Sequence, residues 1–210
     1  MKDLQVYLIS DQPTRQRENC LGVLHSLGLK VKTCLSVASI SDQYQADKAC
    51  CILAYMRVSD YLGIDIHRTI IKQGIGAPVI ILSEAADVPL AVTAIKQGAF
   101  DVLPWPISDD ELQDAIMQAV EMDKQRIKHE KARDELLNRL GELTKREKEI
   151  LQLVVDGLSS SQIAFKLVRS EKTVKLHRAH IMKKLKCDSA HELVHRMIKL
   201  EFDLNHIDEI

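Results

Sequence analysis

No stretch of the sequence approaches the roughly 20 consecutive apolar residues that a membrane span requires. The apolar run behind Met1 is also too short for a secretory signal peptide, so a soluble cytoplasmic protein with no membrane partner is expected. The five cysteines, Cys20, Cys34, Cys50, Cys51 and Cys187, are an odd set without a C-x-x-C pair. That argues against a disulfide framework and a thiolate zinc site, and buried reduced thiols are expected. The adjacent Cys50 and Cys51 would need exposure and a lowered pKa for redox chemistry, and the sequence supplies neither. His191 and His195 have the i,i+4 spacing of some metal pairs, but no carboxylate or thiolate clearly completes a site, so no metal is expected. A Gly-rich phosphate loop and a nucleophile-base pair are both missing, so neither an enzyme nor a cofactor is implied.

What is present is enough apolar residue, 46% of 210, for two domains with separate cores. The net charge of -1 hides an asymmetry. Residues 142–199 hold 13 Lys and Arg against 7 Asp and Glu, whereas residues 1–111 hold 10 against 13. A small basic domain suits a polyanion, because each neutralised phosphate releases condensed counterions.

Short apolar runs at 4–9, 29–35, 50–55, 78–82 and 100–103 alternate with helical patterns at 13–27, 37–44, 60–73 and 88–97. Such alternation predicts an α/β doubly wound, flavodoxin-like domain with a parallel sheet. A well-capped pattern over 108–139 then predicts one long helix. Its apolar stripe fades from Asp123 to Glu135, which makes a solvated middle between domains and weakens a coiled-coil reading. After Gly141 follow four short helices with start signals at Thr144, Ser159 or Ser160, Ser170 and Ser189. The expected division is a first domain at 1–120, a helical linker at 121–141, an all-α four-helix domain at 142–200 and an acidic tail at 201–210.

The segments 161–167 and 171–185 have the lengths and tight connection of a helix-turn-helix, in which the second helix enters the major groove. Val174, Ile181 and Leu185 fall on one face of that second helix. Lys172, Lys175, Leu176, Ala179 and Lys183 fall on another. Leu143, Thr144, Glu147, Ile150 and Leu151, then Gly157, Gln162, Ile163 and Ala164, then Thr173, Val174, Lys175, His177, Ile181 and Leu185 resemble in order and spacing the LuxR-type helix-turn-helix of FixJ/NarL response regulators. The resemblance implies base or groove contacts from Lys175, Leu176 and Ala179. It implies phosphate contacts from Thr173 and neighbouring basic residues, among them Lys172, Arg178 and Lys183. Ser161 stands where the family often has a lysine.

The strand pattern and the run 78–103 are similar to the receiver domain of the same regulators. A working receiver places a phosphoacceptor aspartate at the end of its third strand, beside an acidic pair that holds a metal and a lysine that opposes the phosphate charge. In this register Ala54 stands at the acceptor position, Ser10 and Asp11 at the acidic pair, Ser83 at the hydroxyl and Trp105 at the lysine. Neither Asp47 nor Asp60 reaches the strand end. A pseudo-receiver is therefore expected.

The leading expectation is a sequence-specific DNA-binding transcriptional regulator, independent of aspartate phosphorylation and acting on double-stranded DNA as a homodimer. Two alternatives stay open. One is a protein-interaction adaptor; the other is a regulator gated by a small molecule or protein in the vacated pocket, floored by Ala54 and rimmed by Ser10, Asp11, Ser83 and Trp105.

Overall fold

A computed structural model describes residues 4–10, 15–56, 68–84 and 88–199. They form two compact units, 1–128 and 129–210. The tail beyond residue 199, Asp11 and most of the helix expected over 60–73 lie outside the described residues, of which 68–72 are helical.

In the first unit, β1 (Gln5–Ile9), β2 (Lys30–Cys34), β3 (Cys50–Met56), β4 (Val79–Ser83) and β5 (Asp101–Pro104) make a parallel sheet in the order β2-β1-β3-β4-β5. This is the flavodoxin-like order. Its central strands are continuous apolar runs because helices cover both faces. On one face Val6, Leu8, Cys51, Leu53, Ile80 and Leu82 pack with Cys20 and Leu24 of α1 (Arg15–Ser26) and with Leu112, Ile116, Ala119 and Val120 of α4 (Asp109–Gly141). On the other, Tyr7, Ile9, Ile52, Ala54, Val79 and Ile81 pack with Val37 and Ile40 of α2 (Val37–Ser41), Ile70, and Ala94 of α3 (Val88–Lys96). All five cysteines are buried and reduced, and burial pushes the Cys20 and Cys50 thiols up to about 12. A thiol in that state is a poor nucleophile.

The charged stretch expected to begin at Asp123 in solvent begins later. Asp123 has no exposed surface. Its carboxylate accepts from the Cys50 amide at 2.9 Å and from Arg126 Nε at 2.8 Å. Arg126 in turn donates to the Tyr44 hydroxyl at 3.1 Å. Ile127 is buried as well, and only from residue 128 to 135 is every side chain of α4 exposed. Gly76 makes room for this arrangement, since a Cβ there would lie 2.7 Å from Arg126 Nη1. The linker expected at 121–141 is thus shared out: its start is anchored in the first unit, and Leu136 and Leu140 enter the core of the second.

That second core joins α5 (Lys145–Val155), α6 (Ser160–Lys166), α7 (Glu171–Leu185) and α8 (Ala190–Lys199). Capping boxes fix the starts of α5 at Thr144 and Glu147 and of α6 at Ser159 and Gln162. Glu147 also receives Lys184 Nζ of α7 at 2.6 Å. Burial works against its carboxylate, but hydrogen bonds from Lys184 and Thr144 outweigh that and hold its pKa below the usual range.

Replacing Asp123 by alanine strands the Cys50 amide and part of the Arg126 charge in a buried setting. Asp123→Ala is expected to destabilise the first unit by about 3 kcal/mol, read as an earlier unfolding transition in urea. A change within experimental error would show that the clamp contributes little.

Candidate nucleic-acid interface

The chain builds α7 with two different faces. Val174, Ile181 and Leu185 are buried in the second core, as the 7- and 4-residue spacing requires. Lys172, Lys175, Leu176, Ala179 and Lys183 are all exposed, so the structure brings together the stripe that the sequence assigns to the groove. Leu176 is 57% exposed although it is a large apolar side chain. In water that is unfavourable, and against a thymine methyl it is not.

At the start of α7, the Ser170 hydroxyl accepts from the Thr173 amide at 3.1 Å and lies 2.8 Å from the Thr173 hydroxyl. The cap fixes the first turn, so Lys172, Thr173 and Lys175 project from an ordered helix end. Lys175 forms a pair with Glu171 at 2.7 Å, and both partners are about half exposed or more. Such a pair is worth little in water and leaves the ammonium available to a phosphate or a guanine edge. Arg178 is placed differently from its neighbours. It is half-buried, and its Nη1 reaches the Leu158 carbonyl at 3.4 Å, tying α7 to the turn after α5.

Two residues that the sequence reading passed over stand beside this stripe. Phe165 and Val168 are 89% and 87% exposed, and with Arg169, Ser170 and Thr173 they line a shallow recess at the helix-helix turn. Ile163, Ala164 and Leu167 complete the inward face of α6 and its end, so Phe165 falls outside the packing stripe, a signal present in the sequence. Val168 has φ +51°, a conformation that a β-branched side chain adopts only under strain.

In the first unit, the described receiver-site positions Ser10, Ala54, Ser83 and Trp105 lie at or near the carboxyl ends of the strands, with Ala54 in the core on one face of the sheet and Trp105 in the core on the other. Ala54 pairs with Ile9 and Ile81, is fully buried, and offers only a methyl group. Ser10 and Ser83 are buried beside the sheet, and Trp105, whose amide donates to the Ser83 carbonyl at 2.8 Å, is nearly so. The Trp105 ring stands edge-on to Tyr55, with centroids 6.2 Å apart and planes at 85°. The Tyr55 hydroxyl donates to Glu84 at 2.5 Å. An aromatic ring packed into the core thus occupies the position that the resemblance gives to a mobile lysine.

A five-stranded parallel sheet in this order, followed by a long helix and a helical unit with a two-faced α7, defines a receiver fold joined to a helix-turn-helix. Residues 6–117 match the family described as response regulator receiver domain, and residues 141–197 match bacterial regulatory proteins of the luxR family. The chain is 35% identical over 190 residues to the response regulator protein TodT of Pseudomonas putida F1, covering 90% of this chain and 83% of TodT. It is 33% identical over 193 residues to the transcriptional regulatory protein FixJ of Azorhizobium caulinodans, covering 92% and 91%. Among solved structures it is similar to the response regulator StyR, with a TM-score of 0.74 at 32% identity over 93% of this chain and 98% of StyR. It is also similar to full-length FixJ from B. japonicum, with a TM-score of 0.52 at 28% identity over 94% and 97%. This chain belongs to the response regulators of two-component systems that carry a LuxR-type DNA-binding domain, and it is a DNA-binding transcriptional regulator.

Lys175→Ala and Leu176→Ala are each expected to weaken operator binding by about 1–3 kcal/mol. Both side chains are exposed, so the melting temperature should hold. Electrophoretic mobility shift with a mapped operator reads the loss, and unchanged affinity in both variants would remove α7 as the reading helix.

Proposed function

We propose that this response regulator controls transcription without aspartate phosphorylation, reading a specific DNA sequence through the exposed stripe of α7 and acting as a homodimer. The observation that carries this reading is Ala54. Phosphoryl transfer needs an oxygen nucleophile in line with the phosphorus and positive charge to balance the phosphoryl oxygens. Ala54 has no such oxygen, and it is sealed in the core between Ile9 and Ile81. The packing of Trp105 against Tyr55 supports the same conclusion, because the position of the counter-charge holds an apolar ring. No catalytic step is assigned to the chain.

The other idea raised by the sequence, a ligand in the vacated pocket, receives no support from this packing. Ser10, Ala54 and Ser83 are buried and Trp105 is nearly so, with Ala54 in the core on one face of the sheet and Trp105 in the core on the other. The adaptor reading is disfavoured by the basic stripe of α7, which a protein that had lost DNA binding has no physical reason to keep exposed.

Self-association has a surface available. Val88, Val92 and Ile95 on α3 recur at spacings of 4 and 3 and are all exposed, Val88 by 75%. Val102 and Leu103 of β5 are half-buried in the same unit. Apolar stripes of this kind are covered in stable proteins by a partner, and a specific interface buries about 1,000 Å² or more.

Exposure to acetyl phosphate and magnesium is expected to leave the intact mass unchanged. A stoichiometric gain of one phosphoryl group on any residue would overturn phosphorylation independence. The untreated full chain is expected to sediment as a dimer at micromolar concentration, and Val92→Glu with Ile95→Glu to give a monomer. A monomeric parent protein, or a double variant that stays dimeric, would remove this face from the interface.

A further inference from the structure

Acidic residues outnumber basic ones over 1–111, yet four lysines of the first unit gather around one recess. Lys30 and Lys32 come from β2, Lys48 from the turn before β3, and Lys124 from α4. The recess has a volume of about 660 Å³, and Tyr7 and Ala49 contribute to its apolar lining. Among the described residues no carboxylate lines it. The sheet is parallel, so this recess, bordered by the first residues of β1, β2 and β3, opens at the amino ends of the strands. Ala54 and Ser83 lie at the other end.

Parallel pairing sets Lys30 opposite Gln5 and Lys32 opposite Tyr7. With a two-residue period, both lysines therefore leave β2 on the same face. Lys32 Nζ sits 5.5 Å from the centre of the Tyr7 ring. Lys124 pairs with Glu121 at 3.1 Å, but both side chains are more than half exposed, and a pair of that kind yields readily to a competing anion. Like charges converging on a concave, partly apolar surface focus a positive potential there. An anion bound there lowers the mutual repulsion of the four ammonium groups.

We infer that this recess binds a small organic anion, a carboxylate or phosphate ester on an apolar body, with the charged group among the lysines and the apolar body against Leu4, Ala49 and the lysine stems. The site also touches the anchor of α4. Cys50 lines the recess and gives its amide to Asp123, and Lys124 is the next residue after Asp123. A bound anion therefore lies beside the clamp that fixes the helix to the sheet, between Cys50 and Lys124, and favours the closed clamp to the extent that it binds that conformer better.

The experiment is a titration of the isotope-labelled full chain with phenyl phosphate, followed by amide chemical shifts. Saturable shifts are expected at Tyr7, Lys32, Ala49 and Cys50, with little change at Ser10, Ala54 and Ser83. Phenol, the neutral ring, should shift none of them, and inorganic phosphate should bind more weakly than phenyl phosphate. Lys32→Gln with Lys48→Gln should weaken binding by about tenfold or more, the value of a charge-assisted hydrogen bond. Four results would each overturn the inference: no saturable shift in the parent protein, shifts centred on the carboxyl ends of the strands, equal response to phenol, or inorganic phosphate binding as tightly as the ester.

Discussion

A carboxylate with no exposed surface holds the long helix to the sheet. Asp123 reaches one turn past the apolar stripe of α4, where Leu112, Ile116, Ala119 and Val120 have already packed on the strands, and it takes the amide at the very start of β3. Burying a charge without partners costs several kcal/mol, and a buried carboxylate persists only where donors surround it. Here the donors are the Cys50 amide and Arg126, and Arg126 finds space because residue 76 is glycine. The same helix gives Leu136 and Leu140 to the core of the second unit, so a single element takes part in both cores.

In the second unit, the chemistry of DNA contact rests on a division of labour among cations. Lys184 is spent on the structure, pinned by Glu147 and the Glu142 carbonyl. Arg178 is drawn to the Leu158 carbonyl. Lys172, Lys175 and Lys183 remain at the surface. The half-buried cations position α7, and the exposed ones stay available to phosphates. Charge count alone does not distinguish the two groups, whereas burial and partner geometry do.

Much of this was legible in the sequence because it follows from local periodicity. The five strands, the two faces of α7 and the caps at Thr144, Ser159 and Ser170 are written in spacings of two, three and four residues. What escaped depends on distant pairs. Asp123 reads as one more charge in a charged stretch until its partner, the Cys50 amide 73 residues earlier, is in view. Trp105 reads in the sequence as a substitution for a lysine, but its edge-on packing on Tyr55 requires the fold. The lysine recess draws on residues 30 to 124 and has no local signature. Phe165 is the exception, since its position off the inward stripe of α6 could have been read from the sequence.

A regulator of this family changes its output only if some event stabilises one conformer over another. At the carboxyl ends of the strands the described side chains at the receiver positions are a methyl group, two buried hydroxyls and an indole packed on Tyr55, none of which carries charge. At the amino ends the conditions are reversed. Positive charge converges there on a partly apolar recess, and Cys50, whose amide holds the Asp123 carboxylate, forms part of its lining. An anion bound at the amino ends would act directly on the helix leaving the sheet, with Cys50 and Lys124 in the recess lining on either side of the Asp123 contact. On the proposed reading, in which Ala54 stands at the acceptor position, the point of control therefore moves from one end of the sheet to the other.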